Sequence, residues 1–249
     1  MSSRPVRKAN KSTRRAERKQ ARKEKQDQTV YEAVEITLRT KAQAEAYELI
    51  KQNDITFLLG SAGSGKTFLA MAHAINAVLT KQVEQIVLTR PIVEAGEKLG
   101  FLPGSFGEKV NPYMQPLYDA MDLLVGRQSA KREIINKAVV LAPLCYMRGR
   151  TFNNAICIFD EAQNAHYAQL KLFLTRFGQN TKVVVTGDPA QSDIYNDGYS
   201  DYVALREVTR KLQGIAGIGI YEFGHNDVVR HPLRSEEHTS ELQSRVDIS

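Results

Sequence analysis

Gly60-Ser61-Ala62-Gly63-Ser64-Gly65-Lys66-Thr67 gathers three glycines, a lysine and a terminal hydroxyl into eight residues. Such a run can grip a polyphosphate. With no Cβ in the way at the glycines, backbone N–H groups can converge on phosphate oxygens. Lys66 can reach the β and γ phosphates, and the Thr67 hydroxyl can hold Mg²⁺. The run follows Ile55-Thr56-Phe57-Leu58-Leu59 and opens a helical stretch from Lys66 to Thr80. Strand, glycine loop, Lys-Thr and helix, in that order, are the requirements of a P-loop. The helix N-terminus adds partial positive charge. The alternative is an ordinary glycine turn capping a buried helix. The expectation is a nucleotide site.

Two further strand ends carry chemistry. Ala155-Ile156-Cys157-Ile158-Phe159 runs into Asp160-Glu161-Ala162-Gln163. A carboxylate at the C-terminal end of a strand beside a P-loop is placed to hold the Mg²⁺ water shell, a role given to Asp160. Glu161, pointing elsewhere, can polarise an attacking water. A small-molecule kinase needs no second acid, because its nucleophile arrives on the substrate, so the pair favours hydrolysis over transfer. Lys182-Val183-Val184-Val185-Thr186 runs into Gly187-Asp188-Pro189-Ala190-Gln191. Gln191 would stand at the carboxyl edge of the sheet, where it can sense the γ-phosphate or orient water; the plainer reading is a proline turn capped by Asp188. Gln43, on a short helix before the first strand, could read an adenine edge with its paired donor and acceptor.

The elements that must position these groups are legible as alternation. Short apolar runs rich in Val, Ile, Leu and Phe stand at 55–60, 85–89, 138–142, 155–159, 182–187 and 218–223. That is the pattern of strands buried on both faces. The helix from Lys66 is apolar almost all round and should be central and covered. Asn164 can cap a helix with the stripe Leu170, Phe173, Leu174 and Phe177, ended by Gly178. Tyr202, Leu205, Val208 and Leu212 make a second stripe, ended by Gly214. The fold class is therefore α/β, a mainly parallel sheet with helices on both faces. Residues 90–107, with Gly96, Gly100, Gly104, Gly107, Phe101 and Phe106, read as a long functional loop.

Composition sets the remaining bounds. The 249 residues allow one domain with a full core plus tails. Cys145 and Cys157 lack metal-ligand spacing and suggest a reducing compartment. No apolar run approaches the ~20 residues of a membrane span and no secretory h-region opens the chain, so a cytoplasmic protein is expected. Residues 1–25 carry eleven Lys and Arg against Glu17 and Glu24, a local +9 within an overall +6. Residues 1–28 thus form a basic tail with too few apolar groups to fold, suited to attracting RNA or DNA. The globular domain spans 29–233. Residues 234–249 break sharply from it, and RSEEHTSELQS resembles the translated read-through of a common sequencing-library adapter. No function is read from that stretch, and the native chain is expected to continue differently after Leu233.

Taken together, GSAGSGKT, LTRPIVEAGEKLGFLPG, MRGRTFNNAICIFDEAQN, LTRFGQNTKVVVTGDPAQSDI and NDVVRHPL closely resemble the PhoH family. These are phosphate-starvation-associated P-loop ATPases of bacteria and bacteriophages. The resemblance runs from about Thr40 to Leu233. It implies a RecA-like core related to superfamily 1 helicases, ATP hydrolysis, RNA-linked work, and ring-shaped oligomers in some members. It also implies that Gln43 matches the upstream glutamine motif, Gly60–Thr67 the Walker A loop, Asp160 and Glu161 Walker B, and Gln191 the helicase-type sensor. The basic tail is most similar to that of compact phage-type members.

Residues 40–233 suffice for one RecA-like lobe, so a second charge-neutralising wall must come from another subunit. A homo-oligomer is the expected assembly, a hexameric ring being one form that the resemblance allows. Arg176, off its helix stripe, and Arg230, after the last strand, are the candidates to supply a finger in trans. Arg90, Lys98, Arg148 and Arg150 could contact nucleic-acid phosphates, with Phe101 or Phe106 stacking a base or packing in the core. The reading is a Mg²⁺-dependent ATPase coupled to RNA or single-stranded nucleic acid. A P-loop phosphotransferase and a nucleotide-gated binding protein with little turnover are the alternatives.

Overall fold

Every one of the six apolar runs becomes a strand of a single sheet in the computed structural model, which describes residues 30–91, 106–144, 147–191 and 202–228. The chain divides into two units, Met1–Glu32 and Ala33–Ser249, and all the elements below belong to the second. In chain order they are α1 (Lys41–Gln52), β1 (Ile55–Leu59), α2 (Lys66–Leu79), β2 (Gln85–Thr89), α3 (Phe106–Val125), α4 (Ala130–Ala138), β3 (Val139–Leu141), β4 (Ala155–Phe159), α5 (Tyr167–Leu174), β5 (Thr181–Gly187), α6 (Tyr202–Leu212) and β6 (Ile218–Glu222). Short 3₁₀ turns stand at Ala162–Asn164 and His225–Asp227.

The strand order is β3-β2-β4-β5-β1-β6, and all the pairings are parallel. Parallel pairing needs a crossover between neighbours, and the helices supply it on both faces. Ala155, Cys157 and Phe159 of β4 share one face with Phe57, Val87, Val183 and Val185, where they meet Leu170 and Phe173 of α5 and Leu205 and Val208 of α6. Phe159 and Phe173 pack edge to face at 4.9 Å, an arrangement that matches ring-edge to ring-face charge. On the opposite face α2 lies across β2, β4 and β5 and is itself covered by α1, α3 and α4. Its burial from Leu69 through Leu79, with the side chain of Ile75 at 0 % exposure, is the central position that its apolar composition predicts.

Three sequence expectations need correction. Asn164 does not cap α5: it ends the 3₁₀ turn, and α5 starts after His166, whose N–H donates to Gln169 Oε1 at 2.9 Å. That helix also stops at Leu174 rather than running to Gly178, because Phe177 leaves to pair with Phe152. Phe106 and Gly107 belong to α3 rather than to a glycine-rich loop. The helices α3 and α4 have no counterpart in the sequence reading. Pro112 and Pro116 mask α3 by propensity, although Met114, Leu117, Met121 and Val125, all buried, recur at helical spacing. Among the described residues, no helix is long and apolar enough to cross a membrane.

Candidate nucleotide site

Parallel register brings the C-terminal ends of β1, β4 and β5 to one edge of the sheet, and each then releases a loop there. Leu59 of β1 stands beside Gly187 of β5, and Phe159 of β4 beside Val185. Gly60, with φ +133°, turns the chain out of β1 where β6 ends; a Cβ there would lie 2.9 Å from the Phe223 Cβ and carbonyl. The loop closes at Gly65, the N-cap of α2, with φ +92°. No side chain caps this helix, so the amides of its first turn, which lack intrahelical partners, face the loop. A Cβ on Gly65 would lie 2.8 Å from Gln43 Nε2.

Gln43 is 6 % exposed and both ends of its amide are engaged with backbone. Its Nε2 donates to Ser64 O at 3.1 Å and its Oε1 accepts from Arg39 N at 2.9 Å. The side chain therefore ties α1 and the segment before it to the glycine loop. It also lines a cavity of about 490 Å³ together with Thr37, Arg39, Gly63, Phe68 and Leu123. Lys66, 9 % exposed, donates through Nζ to Gly60 O at 2.6 Å, Ser61 O at 2.8 Å and Ser64 Oγ at 3.3 Å. Its ammonium is held over the concave side of the loop.

The acid pair lies directly against this loop. Asp160, 2 % exposed, accepts through Oδ1 from Thr67 Oγ1 at 2.7 Å and from Thr186 Oγ1 at 2.5 Å. One buried carboxylate thus joins the ends of three chain segments more than 25 residues apart. Glu161 takes the left-handed conformation, φ +54°, which a side chain adopts at a cost and which concentrates at functional sites. The result is that consecutive acids point in different directions. Glu161 Oε2 accepts from Gln163 Nε2 at 2.5 Å, while Gln163 Oε1 accepts from Asp188 N at 3.0 Å. Gln163 had no role in the sequence reading. Its signal was only its place two residues after the acids, and the contact to Asp188 is tertiary.

Arg90 follows β2, the neighbour of β4, and stands beside the acids. Its guanidinium lies 4.0 Å from Asp160 Oδ2 and 3.5 Å from Glu161 Oε1. Asp188 is buried; its Oδ1 accepts from Ala190 N at 2.9 Å, closing the turn, and its Oδ2 has no hydrogen-bond partner among the described residues. Gln191 is exposed at the end of that turn, its N–H donating to Asp188 O at 3.0 Å.

Other candidates lie apart. Arg176 follows α5 and precedes the Phe177–Phe152 bridge, ahead of the starts of β4 and β5, so it stands at the sheet edge opposite the glycine loop. There its Nε donates to Leu172 O at 3.2 Å and its Nη2 to Thr175 Oγ1 at 3.3 Å. Arg150 lies over the Phe152 ring at 4.8 Å, near the same edge, and Arg148 is exposed in the preceding turn. Lys98, Phe101, Arg230, the basic tail and residues 234–249 lie outside the described residues, as does the side chain of Phe106. Burial pushes the Cys157 thiol up to about 12, so it is an inert core group.

A parallel sheet with a glycine loop after β1, an acid pair after β4 and β5 inserted between them defines a RecA-like P-loop NTPase fold. The chain matches the PhoH family, described as PhoH-like protein, over residues 35–239. It is 46 % identical over 198 residues to the PhoH-like protein of Bacillus subtilis strain 168, covering 80 % of this chain and 61 % of that one. It is 48 % identical over 202 residues to the PhoH-like protein of Mycobacterium tuberculosis strain H37Rv, covering 80 % and 56 %. The chain belongs to the PhoH family, and spans about three fifths of the length of these relatives. In fold it is similar to the large terminase of a thermophilic bacteriophage, with TM-score 0.51, 14 % identity, and coverage of 82 % of this chain and 50 % of that one.

Proposed function

We propose that this domain hydrolyses ATP with Mg²⁺, works as a homo-oligomer, and couples hydrolysis to RNA or another single-stranded nucleic acid. The observation that carries the reading is the 2.7 Å bond from Thr67 Oγ1 to Asp160 Oδ1. It joins the glycine loop to the acid pair at the carboxyl edge of the sheet, the place where ligands bind in open α/β folds.

The residues fit both groups. A threonine hydroxyl and a carboxylate are the hard oxygen donors that Mg²⁺ takes, and the glycine loop with the leading amides of α2 suits a triphosphate. When bound, Mg²⁺ would neutralise charge building up on the phosphate oxygens. The chain itself does the rest. Lys66 moves from the loop carbonyls to the β and γ phosphates, exchanging neutral acceptors for charged ones. Asp160 keeps Thr67 in place, Glu161 takes the proton of the attacking water, and Gln191 orients that water. The cavity beside Gln43 receives the base. A subunit neighbour closes the open side of the γ-phosphate, with Arg176 or Arg230 as finger; the position of Arg176 opposite its own site restricts it to that trans role.

Support for a nucleic-acid partner comes from Arg90 at the site's edge and the basic tail. The test is phosphate release from ATP with and without RNA. Glu161→Gln should lower kcat by about a hundredfold or more while leaving the KM for ATP within about threefold. Equal release by both proteins would end the hydrolysis reading.

A further inference from the structure

Glu161 is held by its own neighbours on both carboxylate oxygens. Oε2 accepts from Gln163 Nε2 at 2.5 Å, and Oε1 lies 3.5 Å from Arg90 Nη2. A general base must offer an oxygen to its water at roughly 2.6–3.2 Å. The two restraints differ in strength. Gln163 is 7 % exposed and locked from behind by the Asp188 amide at 3.0 Å. Arg90 reaches its acids only at 3.5 and 4.0 Å, beyond hydrogen-bonding length, and its side chain is 22 % exposed. Backbone pairing fixes where this arginine starts. Thr89 stands beside Phe159, and Asp160 N donates to Thr89 O at 3.0 Å, so the residue after β2 must lie along the acid pair.

A guanidinium that meets these two carboxylates beyond hydrogen-bonding length can exchange them for a phosphate. Two parallel N–H···O bonds to a phosphate, near 2.8 Å, replace two longer contacts. We propose that Arg90 is a positioning residue that keeps Glu161 turned from the attacking water until a nucleic-acid phosphate draws the guanidinium away. Oε1 is then free to accept from water, while Gln163 still fixes Oε2, so the carboxylate pivots instead of becoming mobile. Nucleic-acid binding thereby sets the turnover rate through one side chain. This rests on the ATPase reading above and adds to it the means of coupling.

The test compares wild type, Arg90→Ala, Arg90→Lys and Glu161→Gln, using ATP and poly(U) RNA. Phosphate release gives kcat and KM, and anisotropy of a labelled oligouridine gives RNA affinity across a salt series. In wild type, poly(U) should raise kcat. In Arg90→Ala, basal kcat should rise at least about threefold, the ratio with and without RNA should fall near one, and the KM for ATP should stay within about twofold. The same variant should bind oligouridine more weakly, with a salt slope smaller by about one. Arg90→Lys keeps the charge without the fork and should give an intermediate ratio; it also carries the test if the alanine variant does not fold. A fall in kcat for Arg90→Ala, an unchanged RNA ratio, or wild-type turnover indifferent to poly(U) would overturn the coupling while leaving hydrolysis standing. Wild type and Glu161→Gln releasing phosphate equally would instead remove the ATPase reading, and the coupling with it.

Discussion

Lowering the pH should destabilise this fold through one histidine on the helix that carries Lys66 and Thr67. His73 of α2 is 8 % exposed and packs edge to face with Tyr47 at 6.1 Å. Burial pushes its imidazole down from 6.5 to about 4, and the ammonium groups of Lys182 and then Lys51 push in the same direction. The unfolded chain therefore takes the proton first. The contribution of a neutral His73 to stability is complete above pH 6.5 and is lost as the pH falls toward 4. Between pH 7 and pH 5 that loss comes to about 2 kcal/mol from these two values, equivalent to roughly 4–8 °C in Tm for a domain of this size. The assay is urea unfolding of wild type and His73→Leu at both pH values. Comparing each protein with itself cancels the packing change and all other titrations. Wild type should lose about 2 kcal/mol more than the variant over this interval. Equal losses, or an imidazole resonance that titrates near its ordinary 6.5, would refute the reasoning.

Gln43→Ala should cost about 1–2 kcal/mol of stability, since it leaves Ser64 O and Arg39 N without that partner. The same change should weaken binding of a fluorescent ADP several-fold by loosening the glycine loop. Thr67→Ala should abolish the Mg²⁺-dependent part of nucleotide affinity, measured with and without EDTA, while the metal-independent part persists. Phe173→Ala removes a 2 %-exposed ring from the core and should cost about 3–5 kcal/mol in denaturant unfolding. Were Arg176 or Arg230 the trans finger, its replacement with Ala should depress turnover and spare ATP affinity; unchanged turnover in both variants would exclude that role for both.

The strands were the most legible part of the chain. Strands buried on both faces must be apolar at nearly every position, so Ile55–Leu59, Gln85–Thr89 and Ala155–Phe159 stand out without any periodicity. Helices were less so. Leu170 and Phe173 of α5 and Leu205 and Val208 of α6 show their stripes, but α3 hides its own behind two prolines. The start of α5 after His166 rather than near Asn164 depended on Glu161. Its left-handed backbone launches a 3₁₀ turn that takes up Asn164 before the helix can begin. Local capping rules do not contain that residue's conformation.

By itself the sequence determined the glycine loop, the acid pair and the family, because each is written in contiguous residues whose local conformation those residues dictate. Only the tertiary structure decided what these groups touch. Inserting β5 between β1 and β4 placed Thr186 on Asp160, the register of β2 against β4 set Arg90 beside both acids, and the packing of α1 turned Gln43 onto the glycine loop. Such contacts join residues from 21 to 93 positions apart. The order in which parallel strands enter a sheet depends on how all their crossovers pack together, and no short stretch of chain carries that information.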